Sequence, residues 1–196
     1  MSGGILLAMT PDQARALMHE WTQSPALRGH MEAVAACMGA YAGQFDAERA
    51  DDWIVAGLLH DFDYEKHPSR EEHPFVGVRE LESRQVDRAI LDAILGHATY
   101  SGVERTTPMA KALFAVDELA GFIVACAKVR PTGIVDMQAR GVRKKLKDKR
   151  FAAAVNREDI AVGLAELKTI MTDLEESAHI QTCIDAIKSA GDLVPI

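Results

Sequence analysis

Apolar residues recur three and four places apart along nearly the whole chain, and no long run of alternating apolar and polar positions interrupts them. That period is one face of an α-helix and does not suit a half-buried strand, so the chain is read as all-α, a helical bundle. Capping chemistry sharpens several helix starts. Thr10-Pro11, Ser24-Pro25 and Thr107-Pro108 each pair a side-chain oxygen at the N-cap with proline at the first helical position, and His73-Pro74 places its proline the same way. Helices are expected at 11–22, 26–42, 48–62, 74–83, 86–97, 107–129, 134–147 and 157–188. The least regular connections are the acidic, His-containing stretch 63–73 and the Gly- and Ser-containing loop 98–106. The turn Arg130-Pro131-Thr132-Gly133 separates a long apolar helix from a basic one over 140–150. From Asn156, an N-cap with Asp159 three residues on, a final amphipathic helix is expected to pack back on the core.

The 196 residues, 48% of them hydrophobic, can bury one substantial core. A single domain spanning 1–196 is therefore expected, with its motif-bearing part over about 25–130 and C-terminal helices over about 134–190 packing on it. A formal net charge of −7 disfavours broad association with nucleic acid or anionic membrane, since both partners are themselves negative. Cys37, Cys126 and Cys183 form no zinc spacing and lie in apolar, helix-like stretches, which points to packed free thiols in a reducing compartment. The apolar run Ile5-Leu6-Leu7-Ala8-Met9 is too short to span a bilayer and has no preceding Lys or Arg. Neither a membrane anchor nor a secretory signal is expected, and the location is read as cytoplasmic.

Seven histidines make a lone His-Asp dipeptide uninformative, since about half an occurrence arises by chance. Its surroundings carry the signal. His60-Asp61 ends the apolar run Trp53-Ile54-Val55-Ala56-Gly57-Leu58-Leu59, so a buried helix delivers two metal-competent side chains at its polar end. Imidazole with carboxylate suits divalent Zn, Mn, Fe or Co, and a carboxylate can bridge two ions, which makes Asp61 the natural bridging group. His30 lies beside the apolar positions Leu27, Met31, Val34 and Met38 and needs a partner, which metal would supply. Asp117 sits mid-helix in Ala112-Leu113-Phe114-Ala115-Val116-Asp117-Glu118-Leu119, where an unpaired carboxylate is costly to bury, so Asp117 or Glu118 must face something polar.

This order of His, then His-Asp on a later helix, then a distant Asp, resembles the HD superfamily of metal-dependent phosphohydrolases, of the HDIG type. The resemblance covers roughly 25–130 and rests on His30, Gly57-Leu58-Leu59-His60-Asp61 and Ala115-Val116-Asp117-Glu118-Leu119. Binuclear members add a His, often before Pro, and another near the end of the next helix; His73-Pro74 and Gly96-His97 fit those places. The resemblance thus implies a single-domain HD bundle and a binuclear centre of two divalent ions drawn from Mn, Fe, Co, Ni, Zn or Mg. One ion takes His30, His60, Asp61 and Asp117, and the other Asp61, His73 and His97. It also implies hydrolysis of a phosphate monoester or diester in a nucleotide or other small metabolite, by a metal-activated water, with His60 and Asp61 central to catalysis. Arg28, Lys128, Lys66, Lys111, Arg130 and the 140–150 cluster are candidates to neutralise phosphate, Arg28 and Lys128 first among them.

Against these stand plainer readings. His67 suits a solvated loop, His19 and His179 ordinary amphipathic-helix positions, and Asp63 and Glu65 either an acidic turn, an acid supporting the site or a general base. The basic run is usually a solvated face, and with only 6% aromatic residues a small phosphorylated substrate is preferred to nucleic acid. A mixed-valence di-iron oxygenase on the same ligands, a non-catalytic signalling or ligand-binding module, and a nuclease are the alternatives.

Overall fold

The computed structural model describes residues 8–196, so Ile5, Leu6 and Leu7 of the apolar N-terminal run lie outside the described residues. Among the described residues there are nine α-helices and no strand. They are α1 (Pro11–Trp21), α2 (Pro25–Phe45), α3 (Ala50–Leu59), α4 (Phe75–Ser83), α5 (Arg88–His97), α6 (Pro108–Lys128), α7 (Ala139–Leu146), α8 (Arg157–Lys168) and α9 (Glu176–Ala190). Thr10, Ser24 and Thr107 cap α1, α2 and α6, each accepting from a backbone N–H, with proline at the first helical position. Pro74 differs from its expected place: it is the cap residue of α4, one position ahead of the helix.

Helices α2 and α6 form the centre. Helix α2 packs against α3, α6 and α9, while α6 also holds α5 and α8. The core is built from Met31, Val34 and Met38 of α2, Val55 and Leu58 of α3, Leu113 and Phe122 of α6, and Ile184 of α9, all buried. Two crossings depend on glycine. A Cβ on Gly57 of α3 would lie 2.6 Å from Ala35 Cα of α2, and one on Gly163 of α8 would lie 2.6 Å from Ala115 Cα of α6. Polar ties add to this packing. Arg15 of α1 grips the buried Glu32 of α2 through two bonds of 2.6 and 3.1 Å. His179 of α9 accepts from the Tyr41 hydroxyl and donates to Ala115 O, joining α2, α6 and α9.

Two expected elements need correction. The segment 157–188 is not one helix: α8 ends at Lys168 and α9 begins at Glu176, with turns between. There Thr169 turns its hydroxyl onto Glu166 O at 2.7 Å, a local bond that competes with helix continuation. The helix expected from 134 starts at Ala139, because Arg130 and Thr132 both bond Asp136 and fold 130–136 into turns. The three cysteines are free and buried. Among the described residues, no helix is long and apolar enough to cross a membrane.

Candidate metal centre

The end of α3 is the natural place for the site. Val55 to Leu59 are buried without a break, and the chain then leaves the helix through His60 and Asp61. His97 is the last residue of α5. Two helix C-termini, each carrying partial negative charge, therefore converge where a cation would sit. His30 comes from α2, Asp117 from α6, and His73 from the segment leading into α4.

Asp61 divides the cluster in two. Its Oδ2 lies 3.5 Å from His60 Nε2 and 3.8 Å from His30 Nε2, and its Oδ1 lies 3.3 Å from both His73 Nε2 and His97 Nε2. On the first side His30 Nε2 is 3.2 Å from His60 Nε2, and Asp117 Oδ1 is 3.0 and 3.4 Å from those nitrogens. On the second side His73 Nε2 is 3.2 Å from His97 Nε2. Donor atoms bonded to one ion at roughly 2.0–2.1 Å stand about 3.0–3.4 Å apart in tetrahedral or octahedral geometry, so Asp61 Oδ1, His73 and His97 on one side and His30, His60 and Asp117 on the other have that spacing, while Asp61 Oδ2 stands wider, at 3.5 and 3.8 Å from His60 and His30. Two imidazole nitrogens this close gain little from each other and much from a shared cation. His30, His60 and Asp61 form one group that could hold a metal ion, and Asp61, His73 and His97 form another.

Three of the four imidazoles are held in the tautomer that such ligation needs. His60 Nδ1 donates to Gly57 O at 2.8 Å, His97 Nδ1 to Ile94 O, and His73 Nδ1 to Asp63 Oδ1 at 2.8 Å. Each bond directs the Nε2 lone pair inward. Asp63 is fully buried and its other oxygen accepts from Gly77 N–H at 2.7 Å, where a Cβ on residue 77 would press on the Asp63 carboxyl at 2.9 Å. Asp63 is therefore a positioning residue for His73. Glu65 does something else: it accepts from the backbone of Gln23 and Ser24 at the start of α2.

Burial pushes the His60 imidazole down, but the facing carboxylates of Asp61 and Asp117 outweigh it and lift it to about 9. Burial would raise both carboxyls; instead His60 and His97 hold Asp61 low, and His60 and His30 hold Asp117 low. For Glu118, burial followed by the Asp117 charge outweighs the Asn156 N–H it accepts from and the His30 imidazole, and pushes it up to about 7. These shifts describe a centre with surplus negative charge that takes up positive charge.

A cleft of about 380 Å³ opens over the ligands. Tyr64, Arg70 and Tyr100 line one side of its mouth, with the Arg70 guanidinium over the Tyr100 ring at 5.3 Å, and Glu118, Asn156 and Asp159 line the cleft as well. The loop 98–106 is anchored through Arg105, which binds Glu166 of α8 at 2.6 and 2.7 Å, donates to Gly96 O, and covers the Phe114 ring.

The structure brings together His30, His60, Asp61, His73, His97 and Asp117. It does not bring Arg28 or Lys128 to them, and that expectation is corrected. Arg28 turns back to donate to Thr22 O and His19 O at the end of α1, and Lys128 is exposed at the far end of α6, about 16 Å along the helix from Asp117. Lys66 lies over Trp21, Lys111 bonds Thr169 and Arg130 bonds Asp136. Sequence reasoning missed Arg70, Tyr64 and Tyr100; the available signal was their place in the two irregular segments that adjoin the ligands.

Residues 27–121 match the family model for the HD domain. No curated protein and no solved structure matches the chain.

Proposed function

The chain belongs to the HD superfamily, and on that premise we propose that it is a phosphohydrolase that cleaves a phosphate ester of a small molecule at a two-metal cleft. The observation that carries the reading is the Asp61 carboxylate, whose two oxygens face two separate donor groups. Divalent ions held by these residues would lower the pKa of a bound water and neutralise phosphoryl charge.

The protein's own groups do the rest. His30, His60 and Asp117 hold one side, His73 and His97 the other, and Asp61 joins them. Asp63 fixes the His73 ring. Arg70 is the one cationic side chain lining the cleft among the described residues, and its fork can bind two phosphoryl oxygens at the mouth. Tyr64 and Tyr100 flank it and shield the remainder of the substrate from water. One arginine and a cleft of about 380 Å³ fit a small phosphomonoester or diester better than a polynucleotide, and none of the residues 140–150 lines that cleft.

The test is elemental analysis of protein purified without oxygen, with hydrolysis of a generic phosphomonoester and phosphodiester in added Mn or Co. The expected result is about two ions per chain and metal-dependent hydrolysis, lost in Asp61→Ala while helical content is kept. Two irons with an oxygen-dependent reaction and no hydrolysis would replace this reading by the di-iron oxygenase. No metal under any loading condition would overturn both.

A further inference from the structure

Helices α6, α7, α8 and α9 enclose a second opening, of about 590 Å³, within the size range of pockets for small ligands. Its floor is mainly aliphatic, formed by Leu119, Leu146, Ile160, Leu164 and Ile180 with His179 among them, and it reaches the core, where Leu119, His179 and Ile180 are buried. Its rim is cationic, with Arg140, Arg143 and Lys144 of α7, Lys147 just past its end and Arg157 of α8 against the single carboxylate of Glu176. That balance is the reverse of the whole chain, which has 29 acidic and 22 basic residues.

Arg140, Arg143, Lys144 and Lys147 recur three and four apart, so they share one face and repel one another. Arg143 is neutralised by Glu176 at 2.7 Å, and Arg157 is spent on the carbonyl oxygens of Phe151, Ala152 and Val155. Among the described residues, Arg140, Lys144 and Lys147 enter no salt bridge. A solvated charge run would overlie water or the ends of polar side chains; these three overlie an aliphatic hollow. The lining contains no Phe, Tyr or Trp on which a nucleobase would stack. Helix α8 is a shared wall, since Asp159 lines the metal cleft and Ile160, Ala161 and Leu164 line this pocket.

We propose that this pocket binds an anionic amphiphile, with a carboxylate or phosphate head group at Arg140, Lys144 and Lys147 and an aliphatic body on the floor. Charge complementarity selects the head group and the aliphatic lining selects the body. The site is independent of the metal centre and of the reaction proposed for it.

The experiment is calorimetric titration of the full chain with decanoate, decyl phosphate, decan-1-ol and decyltrimethylammonium, each below its micelle concentration. Saturable binding of one or both anions is expected, at least tenfold tighter than the alcohol or the ammonium. Shortening decanoate to octanoate should weaken binding about fourteen-fold, at roughly 0.8 kcal/mol per methylene. Lys144→Glu with Lys147→Glu, both exposed, should weaken binding at least tenfold, as should Ala161→Trp, which fills the pocket without changing charge. Lys149→Glu with Arg150→Glu, on the same run but outside the lining, should leave it unchanged. The proposal is overturned if neither anion saturates, if the alcohol binds as tightly, or if the control pair weakens binding as much. Adsorption to phosphatidylglycerol vesicles without binding of any soluble anion would also overturn it, by assigning the basic face to a membrane surface.

Discussion

Asp61 and Asp63 are two residues apart and chemically identical, yet one faces the donors and the other faces away from them. Asp61 looks into the space between two imidazole groups, whereas Asp63 is walled in by His73 Nδ1 and Gly77 N–H and meets only those. The difference sets two expectations. His97→Ala should remove a ligand from one side alone, so metal content measured by elemental analysis should fall from about two ions to about one; content that stays at about two would remove His97 from the ligand set. Asp63→Asn keeps the volume but weakens the hold on His73, so one ion should bind about 10–100-fold more weakly in a chelator competition titration while the other is retained. Five of the clustered side chains were readable because each is a polar group in or at the end of an otherwise apolar helix, which gives it a burial cost to explain, whereas His73 precedes α4 and entered only through the resemblance. Asp63 was not, because an acidic turn after a helix is common and only the partner ten residues on reveals its use. Arg28 and Lys128 misled for a related reason: nearness along the chain says nothing of direction, and Arg28 finds three acceptors behind it.

Helix boundaries were legible wherever capping residues and proline marked them, as at α1, α2 and α6. They were not where termination depends on side chains that fold back locally, as Thr169 does on Glu166 and Asp136 does with Arg130 and Thr132. What periodicity cannot show is how near two helices pass. The α2–α3 crossing is set by Gly57 against the Ala35 backbone, and it also sets the distance between His30 on α2 and His60 at the end of α3. Gly57→Ala would ease the backbone entropy of α3 yet push atoms into backbone that cannot move aside, and overpacking of this kind costs about 1–3 kcal/mol. For a chain of this length a loss of about 1 kcal/mol lowers the melting temperature by about 2–4 °C. A melting temperature reduced by at least that much, together with weaker metal binding, is expected. An unaltered melting temperature would mean that the helices separate freely there.

Across the whole molecule the two ends of the core respond oppositely to charge. The metal centre gathers carboxylates and takes up cations, while the junction of α2, α6 and α9 has His179 closed in between Tyr41 and Ala115 O with no carboxylate bonded to it. Burial pushes the His179 imidazole down to about 4, against 6.5 for a free imidazole. A group whose folded pKa is depressed binds its proton more readily in the unfolded chain, so its contribution to stability is full above pH 6.5 and shrinks as pH falls toward 4. Between pH 7 and pH 5 the loss from this one group is about 2 kcal/mol. Replacing it by Gln, which keeps one acceptor and one donor but cannot titrate, should lower stability at pH 7 while removing that part of the acid loss. Urea unfolding of wild type and His179→Gln at both pH values, with chelator saturating so that the cluster imidazoles contribute alike to each protein, isolates the difference. If the two proteins lose stability in parallel on acidification, the proton taken up on unfolding belongs elsewhere, and the junction of α2, α6 and α9 already accommodates a charged imidazole.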